Sequence, residues 1–351
     1  MMLSAMIGRH GLFVHDERDQ VIGRSLRLYG EWAEEEIYLL STMVRSGDTV
    51  LDIGANVGTH TVAFSRMVGQ VGRVVSIDGQ ARASNILALN ITINGCDNVS
   101  RLEGLIGSSC ELVFDKLSEA ETPNIGAVTF RDLQIAASST LDAIVRPLAM
   151  FTVDSMLIQS CRLMKIDVEG MELDALKGAQ QTIERCEPFI YFEQATRANF
   201  TEIHSFLTSL GYKLYYHGAN PFNANNFNQS SENIFGGTRE LNILAVPNSK
   251  NYDPPKEIDI REAKSSSYDF VEELVPEGWS LPDAAYKHLP PVHSRLNISI
   301  PSELLREGPL RHHYDILSEK FEALKKDRIL AQEIMEHQQR EILVLKSQTD
   351  T

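Results

Sequence analysis

The residues of this 351-residue chain best placed to do chemistry begin at Val50-Leu51-Asp52-Ile53-Gly54-Ala55-Asn56-Val57-Gly58, with Asp78 twenty residues further on. A short apolar run entering a glycine-rich turn marks the carboxyl end of a parallel strand, where an open α/β sheet leaves a crevice for a nucleotide-like ligand. Gly54 and Gly58 remove side chains where backbone must come close to that ligand. Asp78, at the end of the next apolar run, can accept hydrogen bonds from two ribose hydroxyls. A dinucleotide site wants G-x-G-x-x-G, so that a pyrophosphate rests on a helix N-terminus. Here the turn is G-x-x-x-G, and the Asp52 carboxylate before it would repel a diphosphate. The pattern suits a ligand carrying an ammonium and a sulfonium, as S-adenosylmethionine does, held by Asp52, Gly54, Ala55, Asn56, Gly58 and Asp78. A tight strand-to-helix turn with no ligand is the plainer alternative.

A second constellation lies at Met164-Lys165-Ile166-Asp167-Val168-Glu169-Gly170-Met171-Glu172. Methyl transfer from a sulfonium is an in-line displacement, and positioning alone contributes about 7–11 kcal/mol. A hydroxyl acceptor must also lose its proton, for which a placed base adds about 10²–10⁴-fold. Asp167, ending a predicted strand, is the first candidate for that base or for orienting the acceptor. Lys165, two residues earlier on the same strand face, pairs with Asp167 to hold it ionised, or forms a structural ion pair. Glu169 binds the acceptor or favours the start of the following helix through its dipole, as does Glu172. Glu193 and His217 are candidates for substrate contact. His60 follows the glycine turn, where a surface histidine is the common case. Asp142, Asp167 and Glu169 have the hard oxygen donors of a magnesium site, but spacing alone does not make one, and no metal is assigned. Asn220-Pro221-Phe222 follows the wrong strand, and lacks the second proline, for the N-P-P-Y element of amino-methylating enzymes acting on DNA.

The elements that must position these residues alternate. Residues 11–30 read as an irregular or hairpin-like lead-in, and Glu31–Arg45 as a helix. Strands are predicted at Thr49–Ile53, Arg73–Asp78, Asn98–Leu105, Arg162–Asp167 and Phe189–Glu193. Helices are predicted at Thr59–Val68, Ala81–Asn94, Met171–Arg185 and Phe200–Leu210. Strand and helix alternating every twenty to thirty residues imply βαβ units and a parallel sheet. Tyr212–Tyr216 and Leu241–Val246 read as a closing antiparallel pair around a long Asn-, Ser- and Gly-rich loop at 218–237. The expected fold class is α/β, a class I Rossmann-like methyltransferase with a mostly parallel sheet, helices on both faces, an antiparallel closing strand and a C-terminal helical tail.

The residues from Tyr29-Gly30-Glu31-Trp32 through the glycine turn to the strand ending at Glu193 resemble the FkbM family of methyltransferases. The most specific part of the match is the Lys165–Glu172 segment, similar to a K-I-D-V-E-G-x-E signature; Thr140-Leu141-Asp142 and Leu176-Lys177-Gly178-Ala179 also fit. The resemblance covers about residues 25–248. It implies an S-adenosylmethionine-dependent O-methyltransferase acting on sugars or other hydroxylated small molecules. Ile77-Asp78-Gly79 departs from the family's F-E-P by keeping the acid and losing the proline. The segment between Cys110 and Ser139 is irregular and long.

Composition bounds the partners. With 48 acidic and 33 basic residues the formal charge is −15, which repels a phosphate backbone and argues against a nucleic-acid acceptor. No apolar run approaches a membrane span, and four scattered cysteines without a CxxC pair read as reduced thiols. These features lead to an expectation of a cytoplasmic protein with a small-molecule or glycan acceptor. The expected organisation is a methyltransferase domain over 1–250, a proline-rich arm over 251–312 and an amphipathic or coiled-coil helix over 313–351. The heptad-like stripe at 313–346 raises self-association as one expectation, docking on its own domain as the other. The rival functions are a non-catalytic methyltransferase-fold scaffold that recruits a partner through that helix, and a protein methyltransferase.

Overall fold

A computed structural model of the chain describes residues 3–116, 145–194 and 199–263. The expected C-terminal helix, Thr140-Leu141-Asp142 and most of the 110–139 segment lie outside the described residues.

The chain begins with an antiparallel hairpin, β1 (Leu3–Gly8) and β2 (Gly11–Asp16). The free edge of β2 is satisfied by side chains: α4 (Ala81–Ile93) and its C-cap present Asn90 and Asn94, one turn apart. Asn90 accepts from the Val14 amide at 2.7 Å and donates to its carbonyl at 3.0 Å, while Asn94 does the same to Leu12 at 2.9 and 2.7 Å. A primary amide thus substitutes for a strand partner, which a buried backbone edge requires. After the hairpin come α1 (Ile22–Tyr29) and α2 (Glu34–Ser41). The helix expected from Glu31 starts three residues later, because Ala33 adopts a left-handed conformation at φ 51°.

The central sheet has the order β13-β11-β12-β10-β9-β3-β4-β5. Its members are β3 (Thr49–Ile53), β4 (Arg73–Asp78), β5 (Val99–Glu103), β9 (Leu163–Ile166), β10 (Phe189–Glu193), β11 (Tyr212–Ala219), β12 (Glu240–Pro247) and β13 (Ile260–Glu262). Strands β5, β4, β3, β9 and β10 run parallel, and β12 inserts antiparallel between β10 and β11. This is the class I methyltransferase order with its reversed strand. The three-residue β13 adds to the outer edge of β11 from the stretch read above as a proline-rich arm.

Strand parity sends alternate residues to two cores. Leu51, Ile53, Met164, Ile166, Ile190 and Phe192 pack with Leu173, Leu176, Ile183, Ile203 and Leu207 of α5 (Glu172–Lys177), α6 (Gln180–Cys186) and α7 (Phe200–Ser209). Val50, Leu163, Phe189, Tyr191 and Leu244 pack with α2 and α3 (Thr59–Val68) through Leu39, Leu40, Phe64 and Val68, and with Met43 just past the end of α2. Burial on both faces is the reason the parallel strands are apolar throughout. The single helix expected over Met171–Arg185 is two helices, because α6 restarts on a cap from elsewhere. Asp154 accepts from the amides of Gln181 and Thr182 at 3.0 and 2.8 Å and from the Thr182 hydroxyl at 2.7 Å. A smaller sheet pairs β8 (Val145–Phe151) with β6 (Leu105–Ile106) and β7 (Glu111–Lys116). Among the described residues no helix is long and apolar enough to cross a membrane.

Candidate active site

Strand β3 has β4 on one side and β9 on the other, and the chain reaches these neighbours in opposite directions. A crevice must open at the carboxyl ends of strands diverging in this way. It holds a cavity of about 290 Å³, lined among others by Gly54, Asn56, Asp78, Lys165, Asp167, Glu169 and Glu193. Seven of the expected site residues therefore line one cavity. Asp52, Ala55, Gly58 and His217 do not line it.

The Gly54 end is shaped by backbone. At φ 78° Gly54 is left-handed, and a Cβ there would collide with the Asp167 carbonyl; its glycine serves strand-to-strand approach at the cavity floor. Gly58, at φ 90°, has Leu87 only 2.6 Å from where its Cβ would stand, so it admits α4 rather than a ligand. Asp78 takes the Asn56 amide on one oxygen and the Gln80 amide on the other, both at 2.8 Å. Burial pushes its carboxyl up to about 6 despite those donors, with the Asp167 and Asp52 charges adding to the rise. Asn56 Oδ1 is buried without a hydrogen-bond partner on the same wall. An ionisable acceptor and an orphaned amide oxygen, with backbone in place of side chains, fit the ribose and ammonium of S-adenosylmethionine.

Asp52 departs from its expected place as a ligand contact. It lies in β3 directly beside Lys165 of β9 and is wholly buried. One carboxylate oxygen accepts from the Thr61 hydroxyl at 2.5 Å; Thr61, its one proton spent, accepts from Ser76 at 2.9 Å. Its charge reaches the cavity through Lys165. The ammonium of Lys165 donates to Asp167 at 3.0 Å. Burial opposes its charge, but Asp167, Asp52 and Glu36 outweigh burial and hold it protonated. In return, although burial works against it, Lys165 keeps Asp167 below the usual carboxylate range.

Around this pair stand carboxyls of the opposite tendency. Glu169 and Gly170, at φ 51° and 94°, form the turn that follows β9. Burial, then Asp167, push the Glu169 carboxyl up to about 7 and that of Glu193 up to about 9. Glu240, half-buried and close to the charges of Glu36 and Glu193, is also raised, first by desolvation. Ligand oxygens of Asp167, Glu169 and Glu193 come within 4.8 Å of one another, a spacing a divalent cation accepts, but Lys165 already supplies the cation Asp167 needs. Asp142, the third acid of the spacing-based metal set, lies outside the described residues.

Sequence reasoning missed the far wall. Helix α2 opens with Glu34-Glu35-Glu36, which reads as a solvated, dipole-favoured first turn, yet all three are buried. Each finds its partner on a different element. Glu34 meets His10 at 2.8 Å, Glu35 meets His217 at 3.4 Å, and Glu36 lies 3.3 Å from His60. Glu35 also accepts from the Asn220 amide, Glu36 from Asn242 at 2.9 Å, and Glu31 from Arg9, Asn223 and the Phe227 amide. The loop between β11 and β12 is thereby moored to the start of α2. Only the density of acids near Trp32, itself on the cavity wall, hinted at this. His217 sits behind the wall, wholly buried, with the Tyr191 hydroxyl 2.8 Å from its Nδ1.

The strand order and a carboxylate cradle at its switch point define a class I, S-adenosylmethionine-dependent methyltransferase. Residues 52–214 match the methyltransferase FkbM domain. A 60-residue stretch is 42% identical to a probable cobalt-precorrin-6B C(15)-methyltransferase (decarboxylating) of Saccharolobus solfataricus, covering 16% of this chain and 30% of that enzyme. The chain thus spans about a third of the length of this curated relative. Methyltransferase FkbM from Methylobacillus flagellatus is similar at 16% identity and TM-score 0.39, with 57% of this chain and 43% of that one covered. The O-methyltransferase from Bacillus cereus, solved with SAH, is similar at 12% identity and TM-score 0.36, with 61% and 80% covered.

Proposed function

We propose that the protein transfers a methyl group from S-adenosylmethionine to a hydroxyl of a small, carbohydrate-like acceptor. The observation that carries this reading is the Lys165–Asp167 pair lining the same cavity as Asp78. Bound against Asp78 and Asn56, the cofactor supplies an electrophilic methyl on a sulfonium. Asp167, ionised and partly open to the cavity, accepts a hydrogen bond from the acceptor hydroxyl and aims its lone pair. Lys165 fixes that carboxylate, and Glu193, holding its proton, donates to a further hydroxyl of the acceptor, with Glu169 beside it. Trp32, backed by Phe235 with ring centroids 5.9 Å apart, offers an apolar face to a sugar ring.

All four cysteines are free, in keeping with a reducing, cytoplasmic setting. The 313–346 stripe, as a self-association helix, belongs to the same reading. Light scattering of the full chain against one ending near 263 tests it, and equal oligomeric states remove it.

Calorimetry with S-adenosylmethionine, followed by labelled-methyl transfer to a panel of sugars and lipid-linked glycans, tests the function. Cofactor heat together with label in an ether linkage is expected. No heat at sub-millimolar cofactor overturns the reading in favour of a scaffold, and label recovered in protein side chains moves the acceptor to polypeptide.

A further inference from the structure

We propose that Tyr191, His217 and Glu35 form a proton relay that drains the proton released when the acceptor hydroxyl is methylated. This rests on the reading above and concerns a step the Lys165–Asp167 pair leaves open.

An ionised carboxylate only accepts hydrogen bonds. Glu35, 3.4 Å from His217 Nε2 and also receiving the Asn220 amide at 2.8 Å, therefore places a proton on Nε2. A neutral imidazole then has Nδ1 free to accept, and the Tyr191 hydroxyl at 2.8 Å donates to it. With its proton committed, the Tyr191 oxygen keeps a lone pair. Tyr191 forms part of the cavity wall next to Lys165, its register partner across β9 and β10, whereas His217 and Glu35 lie behind that wall, both essentially without solvent exposure. The three groups thus lead from the cavity into a dry interior and end on a carboxylate. Burial and the flanking Glu36 and Glu35 hold the phenol well above its usual range, so it passes protons without resting as a phenolate.

The step balances. The acceptor oxygen gains the methyl carbon as the carbon–sulfur bond breaks and leaves a neutral thioether. The hydroxyl proton moves to the Tyr191 oxygen while the Tyr191 proton moves to His217 Nδ1. The imidazolium formed is paired with Glu35, and the reverse shift after product release returns the proton to solvent.

The cavity's own carboxyls suit this task less well. Lys165 holds Asp167 too weakly basic, and Glu193 already keeps its proton near neutrality. Glu169, raised to about 7, is the rival that the test must separate.

Long-range proton–nitrogen spectra of the ¹⁵N-histidine-labelled full chain, assigned with H217Q, read the tautomer without any acceptor. The expected result is a proton on Nε2 alone, with an Nδ1 resonance that moves toward the free-imidazole position in Y191F. A proton on Nδ1, or on both nitrogens, overturns the relay. In transfer to the sugar panel, Y191F lowers kcat by about 10²–10⁴-fold with cofactor affinity within twofold of wild type. Turnover of Y191F within threefold of wild type, or a loss confined to E169Q, overturns it. Absence of cofactor heat with the unaltered chain instead removes the underlying methyltransferase reading, and the relay with it.

Discussion

The carbonyl of Asp167 occupies the space into which a side chain at Gly54 would project, and the Asp167 amide donates to Ile53 at 2.9 Å. The floor of the cavity and the proposed acceptor-orienting residue are thus one packed contact between β3 and the end of β9.

G54A places a methyl against that carbonyl and forces an L-residue to φ 78°, a conformation that by itself costs on the order of 1–3 kcal/mol. A lower melting temperature and loss of cofactor heat are expected together. A variant that melts and binds like the wild type would show that the contact is soft.

K165M removes the cation shared by Asp167, Asp52 and Glu36, leaving buried charge uncompensated at a cost of about 3–5 kcal/mol. Denaturant titration should show the drop. The deficit shrinks as pH falls, because Asp167, no longer held below its usual range by Lys165, takes up a proton and sheds the uncompensated charge. A deficit independent of pH between 4 and 8 would contradict the pairing.

D78N tests the ribose cradle. Asp78 ionises at about 6 in the folded chain against 3.8 for a free aspartate. The native state therefore binds more protons than the unfolded state between those values, and this group's contribution to stability falls as pH rises through the window. Cofactor binding runs the other way, since the ribose hydroxyls need the ionised acceptor. Affinity should weaken by up to about tenfold per unit as pH drops below 6. In D78N affinity should fall at pH 8, by about 1.5–3 kcal/mol for a charge-assisted hydrogen bond, and the pH dependence should flatten. An unaltered pH profile in the variant would assign the titration to another group.

N90L removes the amide that bonds Val14 on both sides and the Val57 carbonyl at 2.8 Å. Leaving such groups unpaired costs about 1–3 kcal/mol. Hydrogen exchange should report it as lost protection in β2 ahead of β3 and β9. Uniform loss across the sheet would instead mean global destabilisation.

The regular part of the architecture was legible because burial on both faces leaves continuous apolar strands at βαβ spacing. Strands β3, β4, β9 and β10, and the turn after β3, stand where hydrophobic pattern and glycine spacing put them. The hairpin β1–β2 was legible only as an irregular or hairpin-like lead-in placed over 11–30, and the edge strand β13 not at all, since strands outside the doubly buried parallel core are specified by their partners. For β2 those partners are two asparagine side chains nearly eighty residues away.

What the sequence determined by itself is therefore the class of fold, the glycine turn after β3 and the Lys165–Asp167 spacing, all set by local period and by residues a few positions apart. Only the tertiary structure decided which of these face the cavity. It left Asp52, Ala55, Gly58 and His217 off the cavity lining, and it brought Glu36, Tyr191, Glu240 and Asn242 onto it from two separate strands and a helix. Local pattern encodes which residues are apolar and how often they recur. The partner of a buried acid such as Glu35, 182 residues from His217, exists only once the sheet has closed.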